Sequence, residues 1–340
     1  MIIVRAPLRI SFVGGGTDLA DFYRSYPGCV ISTAIDQYVY VAVNRTPLVK
    51  KVSARYSVTE MVDHPRELKN DRIREALLDL GLESNIEVGM FSTMPGNTGL
   101  GSSSSFSVAL IRGLHSSLGR KTDQRGIAEA ASRLEIELVG EPIGKQDHYA
   151  AAFGSMNTLR FNSDHSVDIN PVLLDYRKRM AFEDHLLLFF TGVKRLASNI
   201  LSEQRSNIGD KMDTLKAMAD SVPEFRDRLL RGDFKGLGDM LHTNWLRKKT
   251  LASGVSNDVL DALYDAGMSA GAWGGKVLGA GGGGCVLFLT PFSKKDKIRN
   301  VVREIAKKNN LSDFEEIPVH FIQTGVEVLS NSLKLYPNFS

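Results

Sequence analysis

The 340-residue chain exceeds the size at which a single hydrophobic core stops growing, about 250 residues, and this length predicts two domains. With 43% hydrophobic and 24% charged residues, it has the composition of a globular protein. A net charge of +3, with no basic run interleaved with aromatic residues, argues against a nucleic-acid partner. The two cysteines have neither CxxC nor Cys/His spacing, which argues against a disulfide framework or a structural zinc site.

The sequence shows no sign of export or of membrane insertion. The apolar part of Met1–Arg5 is too short for a signal peptide, and no apolar run approaches the roughly 18 residues needed to cross a bilayer. We therefore expect a cytoplasmic protein without a membrane partner.

The first part of the chain is predicted to form strands joined by tight turns. The predicted strands are residues 2–6, 10–13, 30–35 and 38–43, the last two as a hairpin. A turn at Gly14–Asp18 needs its glycines, and it places Asp18 on a loop at the end of the predicted sheet. Arg9 is unusual in this region, because its neighbours in the strands are apolar.

The segment Pro95–Ser105 predicts a phosphate site. It follows a predicted strand at 86–92 and precedes a predicted buried helix that continues from Phe106. Its glycines allow close approach of the backbone to a ligand, its serines add hydroxyl donors, and the first amides of a helix favour anions. One serine would suffice for an ordinary helix cap, so four consecutive serines favour the phosphate site over a simple capped turn.

Two further helices are predicted on either side of this segment. One covers residues 71–80, and the other begins at Thr122-Asp123 and carries its apolar residues on one face. Glu135 lies near the end of the second helix. We expect Glu137 and Glu141 to lie on a solvated surface, as acidic residues of helices usually do.

The second half of the chain follows a polar, proline-containing boundary between residues 162 and 179. Its predicted strands are 185–191, 285–290 and 319–323, and its predicted helices are 194–246, broken near Pro223 and Gly232, then 256–267 and 293–308. This alternation predicts an α+β fold with helices on one face of the sheet.

The glycine-rich segment 279–284 matches the letters of a dinucleotide fingerprint, but it precedes a strand, whereas that fingerprint follows one. A Walker A loop is excluded because Lys276 is followed by valine, and the protein-kinase motifs are missing. Glycine clusters at 14–16, 96–101 and 279–284 together indicate backbone wrapped around a polyanionic ligand.

Three segments resemble the motifs of the GHMP small-molecule kinases, which include galactokinase, homoserine kinase, mevalonate kinase and phosphomevalonate kinase. They are Ala6–Asp18, Pro95–Ser105 and Val277–Cys285, and their order and spacing agree along nearly the whole chain. The resemblance implies an N-terminal domain like domain 2 of ribosomal protein S5, over 1–170, and a C-terminal ferredoxin-like domain, over 171–340. ATP and the substrate would bind in the cleft between them.

Within the family, the sequence most resembles the sugar-1-kinases of nucleotide-activated heptose synthesis. The segments that carry this likeness are RISFVGGGTD at 9–18, GKQDHYAAAFG at 144–154 and TGVKRLAS at 191–198. The implied reaction is phosphorylation of the anomeric hydroxyl of heptose 7-phosphate. The alternatives are an anomeric kinase of fucose or of an unphosphorylated hexose, and a non-catalytic sugar-binding relative. The oligomeric state stays open, a homodimer included.

The resemblance also implies the site residues, with ATP and Mg²⁺ as cofactors. Asp147 would accept the proton of the sugar hydroxyl or orient it, Arg9 would stabilise charge at the transferred phosphoryl, and Glu135 with Ser103 would hold Mg²⁺. The residues implied to bind the phosphates of ATP are Pro95, Gly96, Gly99, Leu100, Gly101, Ser102, Ser103 and Ser104. Those assigned to the substrate are Gly15, Gly16, Thr17, Asp18, Gly281, Gly282 and, for a substrate phosphate, Lys194 and Arg195.

Overall fold

The computed structural model describes residues 1–193 and 197–332. These residues form two sheets with helices packed against them, which confirms the predicted α+β class. The strands are β1 (Ile2–Val13), β2 (Gly28–Arg45), β3 (Val52–Arg55), β4 (Thr59–Val62), β5 (Ile86–Ser92), β6 (Met156–Phe161), β7 (Val167–Pro171), β8 (Leu186–Phe190), β9 (Gly274–Val277), β10 (Cys285–Leu289), β11 (Glu315–Ile317) and β12 (Glu327–Asn331). The helices are α1 (Ala20–Tyr23), α2 (Asp71–Asp79), α3 (Ser102–Ser117), α4 (Gln124–Arg133), α5 (Gln146–Phe153), α6 (Tyr176–Asp184), α7 (Ala197–Ser206), α8 (Met212–Arg231), α9 (Phe234–Lys249), α10 (Asp258–Ala270) and α11 (Lys295–Lys308). Among the described residues, no helix has the length and apolar character to cross a membrane.

Two long strands, β1 and β2, form the centre of the first sheet. The sequence predicted two short strands in place of β1 and a hairpin in place of β2, and both predictions are wrong. Between Pro7 and Leu8 the pairing moves from Tyr38 to Ile35, so Asp36-Gln37 forms a bulge in β2. An Asp-Gln pair lacks the glycine or asparagine that a tight two-residue turn favours, and the strand continues instead.

The bulge gives the two halves of β2 different outer neighbours. Residues 28–33 pair with β6, whereas residues 39–45 pair with β5. The sheet order is β12-β1-β2-β5-β3-β4, with β6 and β7 beside the first half of β2. Helix α3 packs across β1 and β2, and hydrogen bonds from Arg9 N to Leu100 O (2.9 Å) and from Ser105 Oγ to Pro7 O (2.7 Å) tie its start to β1. The glycine- and serine-rich segment is thereby held beside Arg9.

The second sheet is antiparallel and has the order β11-β8-β10-β9. Counted along the chain this order is 4-1-3-2, with helices between β8 and β9 and between β10 and β11. That is the ferredoxin-like arrangement implied by the family resemblance. Helices α9 and α10 pack on β9 and β10, so the end of α9 is positioned by the second sheet.

Helix α8 is continuous through Pro223, so the helix break predicted there is wrong. A proline inside a helix loses one backbone hydrogen bond, and α8 compensates through a buried apolar face that includes Val222 and Phe225. The helix ends at Gly232, where a φ of 77° forms a left-handed cap, as the sequence predicted.

The strand predicted at 319–323 is not formed. The last strand of the second sheet, β11, ends at Ile317, and within 319–323 Phe321 makes an isolated bridge with Ile35. The segment instead hydrogen-bonds to β2 near its bulge, through Asp36 N to His320 O (3.0 Å) and Ile322 N to Ala34 O (3.2 Å). It leads to β12, which pairs with β1 in the first sheet. A division near residue 170 therefore separates β1–β7 from β8–β11 but leaves β12 with the first sheet.

Candidate active site

A cavity of about 360 Å³ lies where the glycine-rich segments meet. From the first half of the chain, the lining comprises residues of β1, the loop after β1, α2, the segment before α3 with the first turn of that helix, and the segment from Glu141 to Asp147. From the second half, α7, α9, β9 and the loop after β9 contribute. The predicted site residues in the lining are Arg9, Gly15, Gly16, Asp18, Gly99, Gly101, Ser102, Ser103, Ser104 and Asp147. Most of the residues predicted from sequence thus surround one cavity.

Arg9 and Asp147 form an ion pair in the wall of this cavity. Arg9 Nε donates to Asp147 Oδ1 at 2.7 Å and Nη2 donates to Oδ2 at 2.6 Å, while Nη1 donates to Gly99 O at 2.7 Å. The side chain of Arg9 is 4% exposed and that of Asp147 is 21% exposed. This two-pronged contact fixes the plane of the carboxylate and leaves each of its oxygens a lone pair for a ligand.

Glu135 is fully buried in the short π-helical turn after α4. Its carboxylate accepts hydrogen bonds from four side chains: Ser103 Oγ (2.6 Å), Ser104 Oγ (2.7 Å), His148 Nε2 (2.6 Å) and Arg72 Nε. Burial alone would raise the pKa of Glu135, but the hydrogen bond and charge of His148 and the charge of Arg72 hold it below its ordinary value. The group is therefore an anion, held against the first turn of α3.

The oxygens of Glu135 and Ser103 fit the requirements of Mg²⁺. Magnesium prefers hard oxygen ligands and usually takes one or two from the protein, with phosphate and water completing its shell. In this structure the guanidinium group of Arg72 takes the position beside Glu135 where a cation would bind. It bridges Glu135 and Glu141, with Nη2 3.1 Å from Glu141 Oε1. A magnesium ion at Glu135 would therefore replace the contact with Arg72.

The prediction that Glu141 lies on a solvated surface is wrong. Glu141 contacts Arg72 and lines the cavity, because its backbone N–H donates to Glu135 O at 2.9 Å and turns the chain inward. Glu137 has a side chain that is 68% exposed, as predicted.

Two glycine-rich loops make direct backbone contact at one end of the cavity. A Cβ atom at Gly99 (φ +76°) would lie 2.5 Å from Leu278 O, and one at Gly279 (φ +66°) would lie 2.6 Å from the Cα atom of Gly99. Only glycine permits this approach at those dihedral angles. Gly101, with a φ of 79°, then caps α3, so the free amides of its first turn adjoin the cavity. This arrangement favours an anion, such as the phosphates of a nucleotide.

Asp18 lies deeper in the cavity wall and is 4% exposed. It accepts hydrogen bonds from Gly16 N (3.2 Å) and Gln146 N (3.1 Å), and a side chain at Gly144 would collide with it. Burial and the nearby charge of Asp147 raise the pKa of Asp18 above its ordinary value. Its position near Asp147 is suited to hydrogen bonding with an uncharged polar ligand.

The predicted residues from the first half that lie outside the cavity lining are Thr17, Pro95, Gly96, Leu100 and the fully buried Glu135. The Thr17 hydroxyl bonds to the carbonyls of Gly14 (2.8 Å) and Cys29 (3.0 Å), so it fixes the shape of the loop. The backbone of Leu100 accepts the hydrogen bond from Arg9 described above. These residues support the position of their neighbours in the lining.

In the second half, Gly281 and Gly282 also lie outside the lining, and Gly279 and Ala280 contribute in their place. A Cβ atom at Gly281 would collide with Val255 O, and Gly282 N donates to the same oxygen at 2.8 Å. The two glycines therefore anchor the loop and do not border the cavity. Lys194 and Arg195 lie outside the described residues.

The lining also contains polar residues that were not predicted from the sequence, among them Arg72, Gln204, Lys248 and Lys276. Lys276 carried a signal, because it interrupts an otherwise apolar strand; its Nζ donates to Ser11 O and Phe12 O at 2.8 Å each. Lys248 belongs to a basic run at the end of α9, which the helix dipole explains equally well. Gln204 has no signal in the sequence, yet it is 5% exposed and its Nε2 has no hydrogen-bond partner among the described residues.

Comparison with known proteins identifies the family. The model for the N-terminal domain of GHMP kinases matches residues 68–155, and the model for the C-terminal domain of GHMP kinases matches residues 225–310. The chain is a GHMP kinase. It is accordingly an enzyme that transfers a phosphoryl group to a hydroxyl group, and the family takes this group from ATP.

Relatives of this GHMP kinase match it along almost its whole length. A D-glycero-alpha-D-manno-heptose 7-phosphate kinase from Campylobacter jejuni is 28% identical, over 96% of this chain and 98% of its own. A galactokinase from Thermococcus kodakarensis is 28% identical, over 90% and 94%. A solved D-glycero-D-manno-heptose 1-phosphate kinase from Bacteroides thetaiotaomicron shares the fold, with a TM-score of 0.77, 22% identity and coverage of 97% and 99%.

Proposed function

We propose that this GHMP kinase phosphorylates the anomeric hydroxyl of D-glycero-D-manno-heptose 7-phosphate and forms the 1,7-bisphosphate, for the synthesis of nucleotide-activated heptose. The observation that carries the proposal is the near full-length match, in both chains, to the heptose 7-phosphate kinase of Campylobacter jejuni. The motif RISFVGGGTD at 9–18 supports it, because its residues Gly15, Gly16 and Asp18 line the cavity.

In the proposed reaction the chain mainly positions and stabilises charge, as phosphoryl transfer requires. The loop with Gly99 and the first turn of α3 would hold the phosphates of ATP. Asp147 would orient the acceptor hydroxyl and receive its proton, since its carboxylate is fixed by Arg9 and retains free lone pairs. Arg9, kept in place by its third hydrogen bond to Gly99, would offset negative charge at the transferred group.

We further propose that Ser103 and Glu135 hold the magnesium ion that accompanies ATP. A bound Mg²⁺ supplies positive charge to the phosphate oxygens. Arg72 would then be released from Glu135 while it keeps Glu141 as a partner. Its freed guanidinium group would lie in the cavity wall beside the phosphates.

The sugar would lie against Asp18 and Gln204, both of which line the cavity. The raised pKa of Asp18 and the unpartnered amide of Gln204 are suited to the hydroxyl groups of a sugar. Lys194 and Arg195 stay the predicted partners of the phosphate on the sugar, since a phosphate with about two negative charges needs cationic donors.

The test is turnover of ATP with a panel of acceptors: heptose 7-phosphate, unphosphorylated heptose, galactose and fucose. We expect the highest kcat/KM with heptose 7-phosphate and, by ³¹P NMR, a new phosphate on the anomeric carbon. A higher kcat/KM with galactose would instead favour a galactokinase, for which the match at 28% identity to the Thermococcus kodakarensis enzyme is the supporting observation. Preference for fucose, or binding without turnover, would also overturn the proposal.

A further inference from the structure

Lys248 is a buried cation whose position the mechanism above leaves unused. It lies one residue before the end of α9, is 5% exposed and lines the cavity. Its Nζ donates a hydrogen bond to the carbonyl of Gly279, the glycine that contacts Gly99 in the phosphate-binding loop. The ammonium group is therefore anchored at the junction of the two glycine-rich loops.

The ammonium group of Lys248 has donors to spare. An ammonium has three N–H groups, and among the described residues only Gly279 O accepts from Lys248, with no carboxylate oxygen in ion-pair contact. The other cations of the cavity wall are occupied: Arg9 by Asp147, Arg72 by two glutamates, and Lys276 by two carbonyls of β1. Lys248 is thus the lining cation that makes the fewest hydrogen bonds to the described residues, and it has no carboxylate partner among them.

Keeping this group charged without a carboxylate partner is unfavourable in the absence of an anion. Burial and the charge of Arg9 lower the pKa of Lys248 to about 8, against the opposing effects of Asp18 and Asp147. Besides Arg9, Asp18 and Asp147, Lys248 also faces Lys276. Burial and the charge of Lys248 lower the pKa of Lys276 well below its ordinary value. An anion bound in the cavity would relieve this repulsion.

We propose that Lys248 is a catalytic residue whose ammonium group donates hydrogen bonds to the oxygens of the phosphoryl group during its transfer. In that step the acceptor oxygen forms a bond to the γ-phosphorus of ATP, and the bond from this phosphorus to the β–γ bridging oxygen breaks. ADP leaves with the electron pair, the hydroxyl proton passes to Asp147, and Lys248 keeps its proton. The inference rests on the phosphoryl transfer common to the family and does not depend on which sugar accepts.

The first test compares Lys248→Met with Lys249→Met. Lys249 is the matched control, because it is the adjacent lysine of α9 and pairs with Asp261 at 2.7 Å instead of lining the cavity. We expect Lys248→Met to lower kcat by about 10²-fold, the usual effect of removing one donor to a transition-state oxygen, and Lys249→Met to change it less than about threefold. A Lys248→Met enzyme that keeps its thermal midpoint and has a kcat within threefold of wild type overturns the proposal.

The second test uses pH and Lys248→Arg, which keeps the positive charge. The wild-type kcat/KM should fall as the pH rises through about 8, since the ammonium of Lys248 is lost there. In Lys248→Arg this alkaline limb should move to higher pH, because arginine stays charged. An unchanged limb in Lys248→Arg contradicts the proposal, and this readout serves even if Lys248→Met fails to fold.

A third readout does not need the sugar. ADP with magnesium and aluminium fluoride presents a planar mimic of the phosphoryl group, and isothermal titration measures its binding. Lys248→Met should weaken the binding of this mixture by at least about tenfold while changing the affinity for ADP alone less than threefold. Equal losses for the two ligands would overturn the role of Lys248. If the proposed sugar is wrong, only the test with the panel of acceptors fails. The larger loss of affinity for ADP with aluminium fluoride than for ADP alone would still be observed in Lys248→Met.

Discussion

The Cα atom of Gly99 lies against Gly279, so the loop before α3 and the loop after β9 touch through backbone alone. The contact joins the loop that is predicted to bind phosphate to a loop that anchors Lys248. Because neither residue can accept a side chain, the distance between the two halves of the candidate active site depends on both glycines.

Gly279→Ala is expected to lower both stability and kcat, because the added methyl group would separate the two loops. Gly119→Ala is the matched control: its φ of +69° is close to the +66° of Gly279, but its surroundings are open. The control should lose only the strain of a left-handed alanine, about 1 kcal/mol in the free energy of unfolding, and keep its kcat. Equal effects of the two substitutions on kcat would show that the loop contact has no part in activity.

Asp147→Asn is expected to lower kcat by about 10²-fold or more and to change the KM for sugar little. The amide has nearly the same shape as the carboxylate but cannot accept a proton, and general bases contribute about 10² to 10⁴. It also weakens the two-pronged contact with Arg9, so the thermal midpoint should be measured alongside the kinetics. A kcat near that of wild type would remove Asp147 from the mechanism.

Glu135→Gln should raise the magnesium concentration needed for half-maximal activity and reduce stability at neutral pH, since the carboxylate is buried among four donors. The folded-state pKa of Glu135 lies below its ordinary value of 4.5, so its stabilising effect is complete above that pH and is lost as the pH falls. The gap in unfolding free energy between wild type and variant, measured by urea denaturation, should therefore narrow below about pH 4. Glu137→Gln, at an exposed position, serves as the control. A difference in unfolding free energy that does not change with pH would contradict the lowered pKa of Glu135 in the folded protein.

The sequence allowed prediction of those features that depend on short segments. Gly99, Gly101 and Ser103, which line the cavity, could be predicted because glycines and serines before a helix act locally on the backbone and favour a bound anion. The bulge at Asp36-Gln37 was missed because it arises from the pairing of β2 with β1, β5 and β6, which no local pattern records. Lys248 was missed for the same reason, because only the fold brings the end of α9 to the loops that contain Gly99 and Gly279.

Gln204→Leu is expected to raise the KM for the sugar and leave the KM for ATP unchanged. The amide Nε2 is buried in the cavity wall without a hydrogen-bond partner among the described residues, and a sugar hydroxyl would supply one. Removing a neutral hydrogen bond costs about 0.5 to 1.5 kcal/mol, which corresponds to a rise in KM of roughly two- to tenfold. Steady-state kinetics with each substrate varied in turn measures this, and an unchanged KM for the sugar would place the sugar elsewhere in the cavity.

Arg195→Ala tests the phosphate on the sugar. Residues 194 and 195 lie outside the described residues; in the sequence they precede α7, whose residues Ala197, Ser198 and Leu201 line the cavity. If Arg195 binds the phosphate of heptose 7-phosphate, the wild-type enzyme should prefer this sugar to unphosphorylated heptose, because arginine forms strong paired hydrogen bonds to phosphate. Arg195→Ala should then remove most of that preference and leave kcat/KM for the neutral sugar near its wild-type value. The wild-type enzyme alone distinguishes a heptose 7-phosphate kinase from a kinase of neutral sugars. Equal kcat/KM for heptose 7-phosphate and unphosphorylated heptose would exclude recognition of the phosphate and favour a kinase of neutral sugars, whatever the result with Arg195→Ala.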